Sequence, residues 1–166
     1  GLRFSRVLAG TLQRQVSTCE LVMDALDGPR DFARDARFNE YDHQSLLRYF
    51  EGDRLQAIKA SGDRREYFAA IRSAMQKWSQ HDDVVAGGES WSEFGARIGA
   101  GVTAACAGLE RDDNVLIVTS GGVIGRYTSE VLDAGADAAI QLNLQIRNTG
   151  VTEVIRPASG NARLVS

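Results

Sequence analysis

Two stretches of this sequence carry groups suited to holding an anion where a strand gives way to a helix. The first is Gly10-Thr11-Leu12-Gln13-Arg14. Arg14 falls one turn into its helix, near the positive end of the helix dipole. A guanidinium beside free backbone N–H groups suits a phosphate or a carboxylate. A solvated surface arginine fits the same spacing. The second stretch is Thr119-Ser120-Gly121-Gly122. Paired glycines let backbone amides approach an oxyanion closely, and the Ser120 hydroxyl shares that space. The alternative is a tight strand–helix turn with Ser120 as its N-cap. In open α/β sheets ligands bind outside the carboxyl ends of the strands, where both stretches fall.

Other chemistries of a Gly-rich turn fail on spacing. A dinucleotide fingerprint wants G-x-G-x-x-G after an early strand, whereas S-G-G-V-I-G lies near the C-terminus. No G-x-x-x-x-G-K-[ST] run occurs. A nucleophile elbow wants G-x-S-x-G, and Val118 takes the first Gly position. His43 and His81 both precede Ser120, which also disfavours a serine hydrolase, and they are too far apart in sequence to suggest a metal site.

The elements that must position these groups follow from apolar spacing. Phe4 to Gly10 reads as a strand and Thr11 to Leu26 as a helix, with Thr11 its N-cap and Leu12, Val16, Cys19, Met23 and Leu26 on one face. Gly28 to Asn39 is polar, broken by Pro29, and reads as a loop. His43 to Gly52 suits a short helix, and Arg64 to Gln80 a longer one with a core stripe of Tyr67, Phe68, Ile71, Met75 and Trp78. The loop Gly87-Gly88-Glu89-Ser90 opens another helix, whose Gly95, Gly99 and Gly101 imply close packing. Asn114 to Thr119 is an apolar, β-branched run suited to a strand buried on both faces. Ser120-Gly121-Gly122 then turns into a helix from Val123 to Leu132. Two final strands, Gly150 to Arg156 and Ala162 to Val165, flank a turn at Pro157 to Asn161. The expected fold is α/β: a three-layer sandwich with a mostly parallel central sheet, helices on both faces and one antiparallel edge strand.

Composition sets the frame. The chain has 166 residues, 43% hydrophobic and 25% charged, with 17 Gly and 2 Pro. That is ordinary for one globular domain spanning 1–166, which can bury roughly 70% of its unfolded surface. A net charge of −3 gives no global pull toward nucleic acid or anionic membrane. The apolar runs are far short of a membrane span and no secretory signal pattern is visible, so a cytoplasmic location is expected. Cys19 and Cys106 form no metal-spaced pair and are expected as free thiols.

Taken in order, four segments resemble the histidine phosphatase superfamily, the phosphoglycerate mutase-like family. Leu12-Gln13-Arg14-Gln15-Val16-Ser17-Thr18 is similar to L-x-R-A-x-Q-T, whose arginine binds the transferred phosphate. Phe38-Asn39-Glu40 resembles L-x-E, whose glutamate is the proton donor. Glu89-Ser90 with Arg97 resembles the E-S…R helix start, and Val115 to Ile124 resembles V-L-V-V-S-H-G-G-V-I. Asn148 to Glu153 fits the entry to the last strand. The likeness runs from Arg6 to the end.

Two departures touch the chemistry. The family's nucleophile is the histidine of an Arg-His-Gly motif, which occurs nowhere in the 166 residues. The expectation is that it lies in a segment upstream of Gly1, together with a first strand and a phosphate-binding arginine. An exposed sheet edge would then favour aggregation, exchange of a segment or a homodimer. Second, Ser120 stands where the family has its second histidine; a serine donates one hydrogen bond but brings no positive charge. His43, three residues after Glu40, is the candidate helper, or else a surface or capping histidine.

The resemblance implies phosphate-ester hydrolysis of a small phosphorylated metabolite, with Arg14, Ser120 and Gly121 in the phosphate cradle and Glu40 as the acid. It requires no metal or organic cofactor, and no nucleic acid or membrane partner. Residues 41–90 would form a helical lid. They hold seven basic against eight acidic residues, too little positive bias for a mutase site with a second anion. The competing expectation is a catalytically silent phosphate-binding or interaction module of the same ancestry, to which Ser120 lends weight.

Overall fold

The computed structural model describes residues 3–26, 31–85, 88–157 and 161–166. Strand β1 (Arg6–Ala9) leads into helix α1 (Gln13–Ala25), then into a two-residue strand β2 (Ala33–Arg34) and a 3-10 turn at Ala36–Phe38. Helices α2 (His43–Ser61), α3 (Arg64–His81) and α4 (Trp91–Ala105) follow, then β3 (Val115–Val118), α5 (Gly121–Val131), α6 (Ala136–Gln145), β4 (Val154–Ile155) and β5 (Arg163–Leu164).

The sheet order is β2-β1-β3, all parallel, with Leu8 opposite Ala33 on one side and Ile117 on the other. The two-residue period of the strands sorts their side chains onto two faces. Val7 and Ala9, with Leu116 and Val118, pack on Cys19 and Met23 of α1. Leu8, with Val115 and Ile117, joins the larger core built from Phe38, Tyr41, Trp78, Phe94 and Ile98. Apolar side chains therefore fill both faces, which is why β3 reads as a continuous apolar run. Arg6 is the exception, and its guanidinium reaches the Ala105 carbonyl at 2.5 Å, at the negative end of α4.

The α/β sandwich with helices on both faces is what the sequence predicts. The antiparallel pairing is local: β4 and β5 pair with each other as a separate ribbon, Val154 opposite Leu164. Several boundaries move. The polar stretch expected as a loop contains β2 and the 3-10 turn, held because the Asp35 N–H donates to the Ala9 carbonyl at 2.9 Å. Both β2 residues are exposed, so no apolar pattern marks them. Helix α2 runs past Gly52 to Ser61, with a break at Glu51, where φ is −126° and ψ 17°. Leu12, not Thr11, is the N-cap of α1. Helix α5 begins at Gly121, so no separate turn intervenes between β3 and α5.

Helix α6 is missing from the sequence reading; its Ala136-Asp137-Ala138-Ala139 start has little large apolar content to show a period. Gly95 and Gly101 do mark close approaches. A Cβ at Gly95 would overlap the Arg126 guanidinium, and one at Gly101 would lie 3.1 Å from the Phe38 ring. At Gly99 the nearest atom is 4.0 Å away, an ordinary contact. The Gly28-Pro29 break, Gly87 and the middle of the Pro157–Asn161 turn lie outside the described residues. No described helix is long and apolar enough to cross a membrane.

Candidate active site at the strand ends

The carboxyl ends of β1 and β3 lie side by side, because Ala9 pairs with Val118. Each strand passes into a helix within a few residues, so the N-termini of α1 and α5 share one rim of the sheet. The segment 35–41 crosses that rim, and side chains from three elements hold it there. Phe38 O accepts from Gln15 Nε2 at 2.9 Å and from Thr119 Oγ1 at 2.7 Å. Arg37 O accepts from Arg97 Nη1 at 2.7 Å, while Arg97 also grips Glu89 through two bonds of 2.6 Å. Asn39 and Thr11 bond each other twice, at 2.6 and 2.7 Å.

This strapping delivers Glu40 to the start of α5. Its Oε2 accepts the Gly122 N–H at 2.9 Å, and its Oε1 accepts the N–H of Tyr41 at 3.3 Å. A Cβ at Gly122 would overlap Oε1, so the approach requires glycine. Burial pushes the Glu40 carboxyl above the ordinary glutamate range. The two N–H bonds and the positive charges of Arg14 and Arg97 oppose that rise without cancelling it. Arg14 is exposed on the first turn of α1, with its charge in electrostatic reach of Glu40.

Ser120 occupies the N-cap position of α5, yet its side chain makes no capping bond. Its Oγ instead accepts from Gln15 Nε2 at 2.8 Å. Gly121 faces α6: a Cβ there would lie 3.1 Å from Asn143 Oδ1. Asn143 in turn donates to the Tyr41 hydroxyl at 3.0 Å. The structure thus brings Glu40, Ser120, Gly121 and Gly122 together, with Arg14 beside them. His43 stands apart in its bonding. It is half-buried on the first turn of α2, and it makes no hydrogen bond to Arg14, Glu40 or Ser120.

Sequence reasoning quotes Gln15, Thr119 and Asn39 inside its segments without giving them a role, and it misses Asn143. Gln15 carried the available signal: a glutamine on the apolar face of an amphipathic helix, 2% exposed in the structure. A cavity of about 550 Å³ lies elsewhere, between α4, α5 and the β4–β5 ribbon, lined by Thr103, Tyr127, Glu130 and Arg156. We place the candidate site at the strand ends instead, because the displaced carboxyl and the helix-terminal amides converge there.

Comparison with known proteins supplies the family. The model of the histidine phosphatase superfamily (branch 1) matches residues 1–166. No curated protein sequence matches the chain. Among solved structures, a provisionally assigned alpha-ribazole-5'-P phosphatase from Escherichia coli K-12 superposes with a TM-score of 0.54 at 18% identity, over 85% of this chain and 63% of that one. A phosphoglycerate mutase from Bacillus anthracis gives 0.48 at 18% identity, over 78% of this chain and 60% of that one. The chain therefore spans under two thirds of the length of either structure, and the first likeness establishes the fold. With the family model matched from end to end, this chain belongs to the histidine phosphatase superfamily.

Proposed function

We propose that the strand-end site binds the phosphate of a small phosphorylated metabolite and serves hydrolysis of its ester. The observation that carries this reading is the Glu40 carboxyl on the Gly122 amide, with its affinity for a proton raised by burial and the Arg14 charge beside it. An acid for the leaving group and a cation for the phosphate oxygens are two of the three parts phosphoryl transfer needs. Arg14, the Ser120 hydroxyl and the Gly121 N–H cradle the equatorial oxygens. The third part, an in-line imidazole, comes from outside the 166 residues. Its nitrogen attacks phosphorus, the P–O ester bond breaks, and the alkoxide leaves with the Glu40 proton. Water then cleaves the P–N bond, releasing phosphate and returning a proton to Glu40. Helices α2 and α3 act as the lid, and the near-balance of charge over 41–90 favours a phosphatase over a mutase.

A silent phosphate-binding module is the second reading, because Ser120 offers a neutral hydroxyl to the anion. Titrating inorganic phosphate into the 166-residue chain while following the Gly121 and Gly122 amide resonances tests the site. Saturable shifts are expected, weakened at least tenfold by Arg14→Ala. No shift in either resonance overturns the site. The chain is expected to bind p-nitrophenyl phosphate without turning it over; steady turnover would overturn the assignment of the nucleophile to a segment outside these residues.

A further inference from the structure

We infer that Gln15 is a positioning residue that fixes the polarity of the Ser120 hydroxyl, making it an obligate donor toward the bound anion. The inference rests on the phosphate-binding reading above and adds a residue to it. Gln15 is 2% exposed, and its amide has three partners. Phe38 O can only accept, so an Nε2 hydrogen must face it, at 2.9 Å. The Leu12 N–H can only donate, so Oε1 must face it, at 3.4 Å. Two independent backbone groups therefore set which way the amide points. The second Nε2 hydrogen is left for Ser120 Oγ, at 2.8 Å.

A hydroxyl that receives a hydrogen from a fixed amide cannot return its own along the same line. The Ser120 hydrogen turns elsewhere: it donates to no described residue, and the oxygen accepts no capping N–H from α5 that would compete with Gln15. Ser120 is half-buried at the end of β3, one residue before the α5 amides that the proposed anion would meet. A lone serine would lose part of its donor strength to rotation among acceptors and water. A serine locked by Gln15 presents one preset hydrogen, which makes it selective for groups rich in acceptors, such as a phosphate oxygen. Glycine at position 10 belongs to the same device, since a Cβ there would overlap Gln15 Oε1 and push the amide off line.

The experiment is a double-mutant cycle on the 166-residue chain, read as the dissociation constant for inorganic phosphate. Ser120→Ala is expected to weaken binding about tenfold, the value of one hydrogen bond to a charged group. Gln15→Met keeps the side-chain volume and removes the amide, and is expected to weaken binding about fivefold. The double variant is expected to bind no more weakly than Ser120→Ala alone, because both changes remove one device. Gln15→Glu reverses the polarity by drawing the Ser120 hydrogen to itself, and is expected to lose at least tenfold at pH 8. A purely structural Gln15 gives a different pattern: lower thermal stability, with the Ser120→Ala effect undiminished in the Gln15→Met background, and that overturns the inference. Ser120→Ala binding as the parent chain does overturns it too, without any Gln15 variant needing to fold. A parent chain that binds no phosphate instead overturns the reading of the site itself.

Discussion

Glu40 Oε2 and the Gly122 N–H lie 2.9 Å apart across 82 residues of sequence. The bond joins the segment after the 3-10 turn to the first turn of α5, the two pieces whose alignment makes a site at all. It also puts a carboxyl on an amide that would otherwise be free to meet an incoming anion. Part of the positive helix end is therefore given to Glu40, and the proposed anion would rely on Arg14, Ser120 and Gly121. The arrangement makes Glu40 the group most sensitive to small changes around α5.

Gly122→Ala tests that sensitivity. The new methyl overlaps Glu40 Oε1 and lies 2.7 Å from the Tyr41 ring carbon Cε1. Tyr41 is packed against Trp78 and Phe94 and cannot give way, so the carboxyl must. Alanine has the better helix propensity by about 1 kcal/mol, yet overpacking costs about 1–3 kcal/mol, so a net loss of roughly 1 kcal/mol is expected. Urea denaturation measures it. A variant more stable than the parent would show that the Glu40–Gly122 contact is not close in solution.

The pH dependence of stability carries the Glu40 signature. Burial raises its pKa in the folded state, so between the unfolded and folded values the native protein binds the extra proton. Stability from this group is full below the unfolded value near 4.3 and falls as pH rises through the folded one. Glu40→Gln keeps an acceptor for the Gly122 N–H and removes the titration. Its stability relative to the parent is expected to improve from pH 4 to pH 8. Parallel stability curves for the two proteins over that range would contradict a raised pKa.

How much of this was legible beforehand depends on what each residue answers to. β3 and most of the α3 stripe read clearly, because burying an apolar face imposes a period on the sequence; Phe68, expected in that stripe, is instead 46% exposed. Arg14 and the Ser120-Gly121-Gly122 run were visible from local rules about helix N-termini. Glu40 was visible only through likeness to a family, since a single glutamate in a polar stretch has no period. Gln15, Asn39, Thr119 and Asn143 are different. Their distant partners lie 23 to 105 residues away, and those bonds exist only once the sheet register is set. β2 was missed for the same reason: it is a strand because Leu8 and Ala9 are beside it.

The break in α2 predicts acid-sensitive packing of α2 on α3. Glu51 sits at the break with its side chain 3% exposed, bonded to Lys77 Nζ at 2.8 Å and Ser73 Oγ at 2.9 Å. Burial alone would raise its pKa, but the bonds from Lys77 and Ser73 and the charges of Lys77 and Arg54 outweigh it and hold the carboxyl below the ordinary range. A lowered pKa stabilises the fold above the unfolded value and is lost as pH falls through the folded one. Lys77→Met strands a buried carboxylate and is expected to cost about 2 kcal/mol at pH 7, discounted for the half-exposed lysine. Near pH 4 the cost should shrink. A cost that is equal at both pH values, measured by urea denaturation, would detach it from the Glu51 charge.

Arg97 offers the sharpest test of the strap itself. Its guanidinium spends one edge on both Glu89 oxygens and one nitrogen on the Arg37 carbonyl, three residues before Glu40. Only a planar fork can make all three bonds from one position, because a lysine ammonium on its flexible stem cannot match two carboxylate oxygens and a carbonyl at once. Both side chains of the ion pair are about one-fifth exposed, so solvent screens it weakly. Arg97→Lys conserves the charge near Glu40 and loses the fork. The expected result is a loss of about 2 kcal/mol in stability and several-fold weaker phosphate binding, since the segment carrying Glu40 loses one of its ties to α4. If binding weakens with stability unchanged, Arg97 acts on the anion site through the placement of its guanidinium and not through the stability of the strap. If both stay within about 0.5 kcal/mol of the parent, the Arg37 carbonyl needs no tie and the bonds from Gln15, Thr119 and Thr11 suffice to hold the strap.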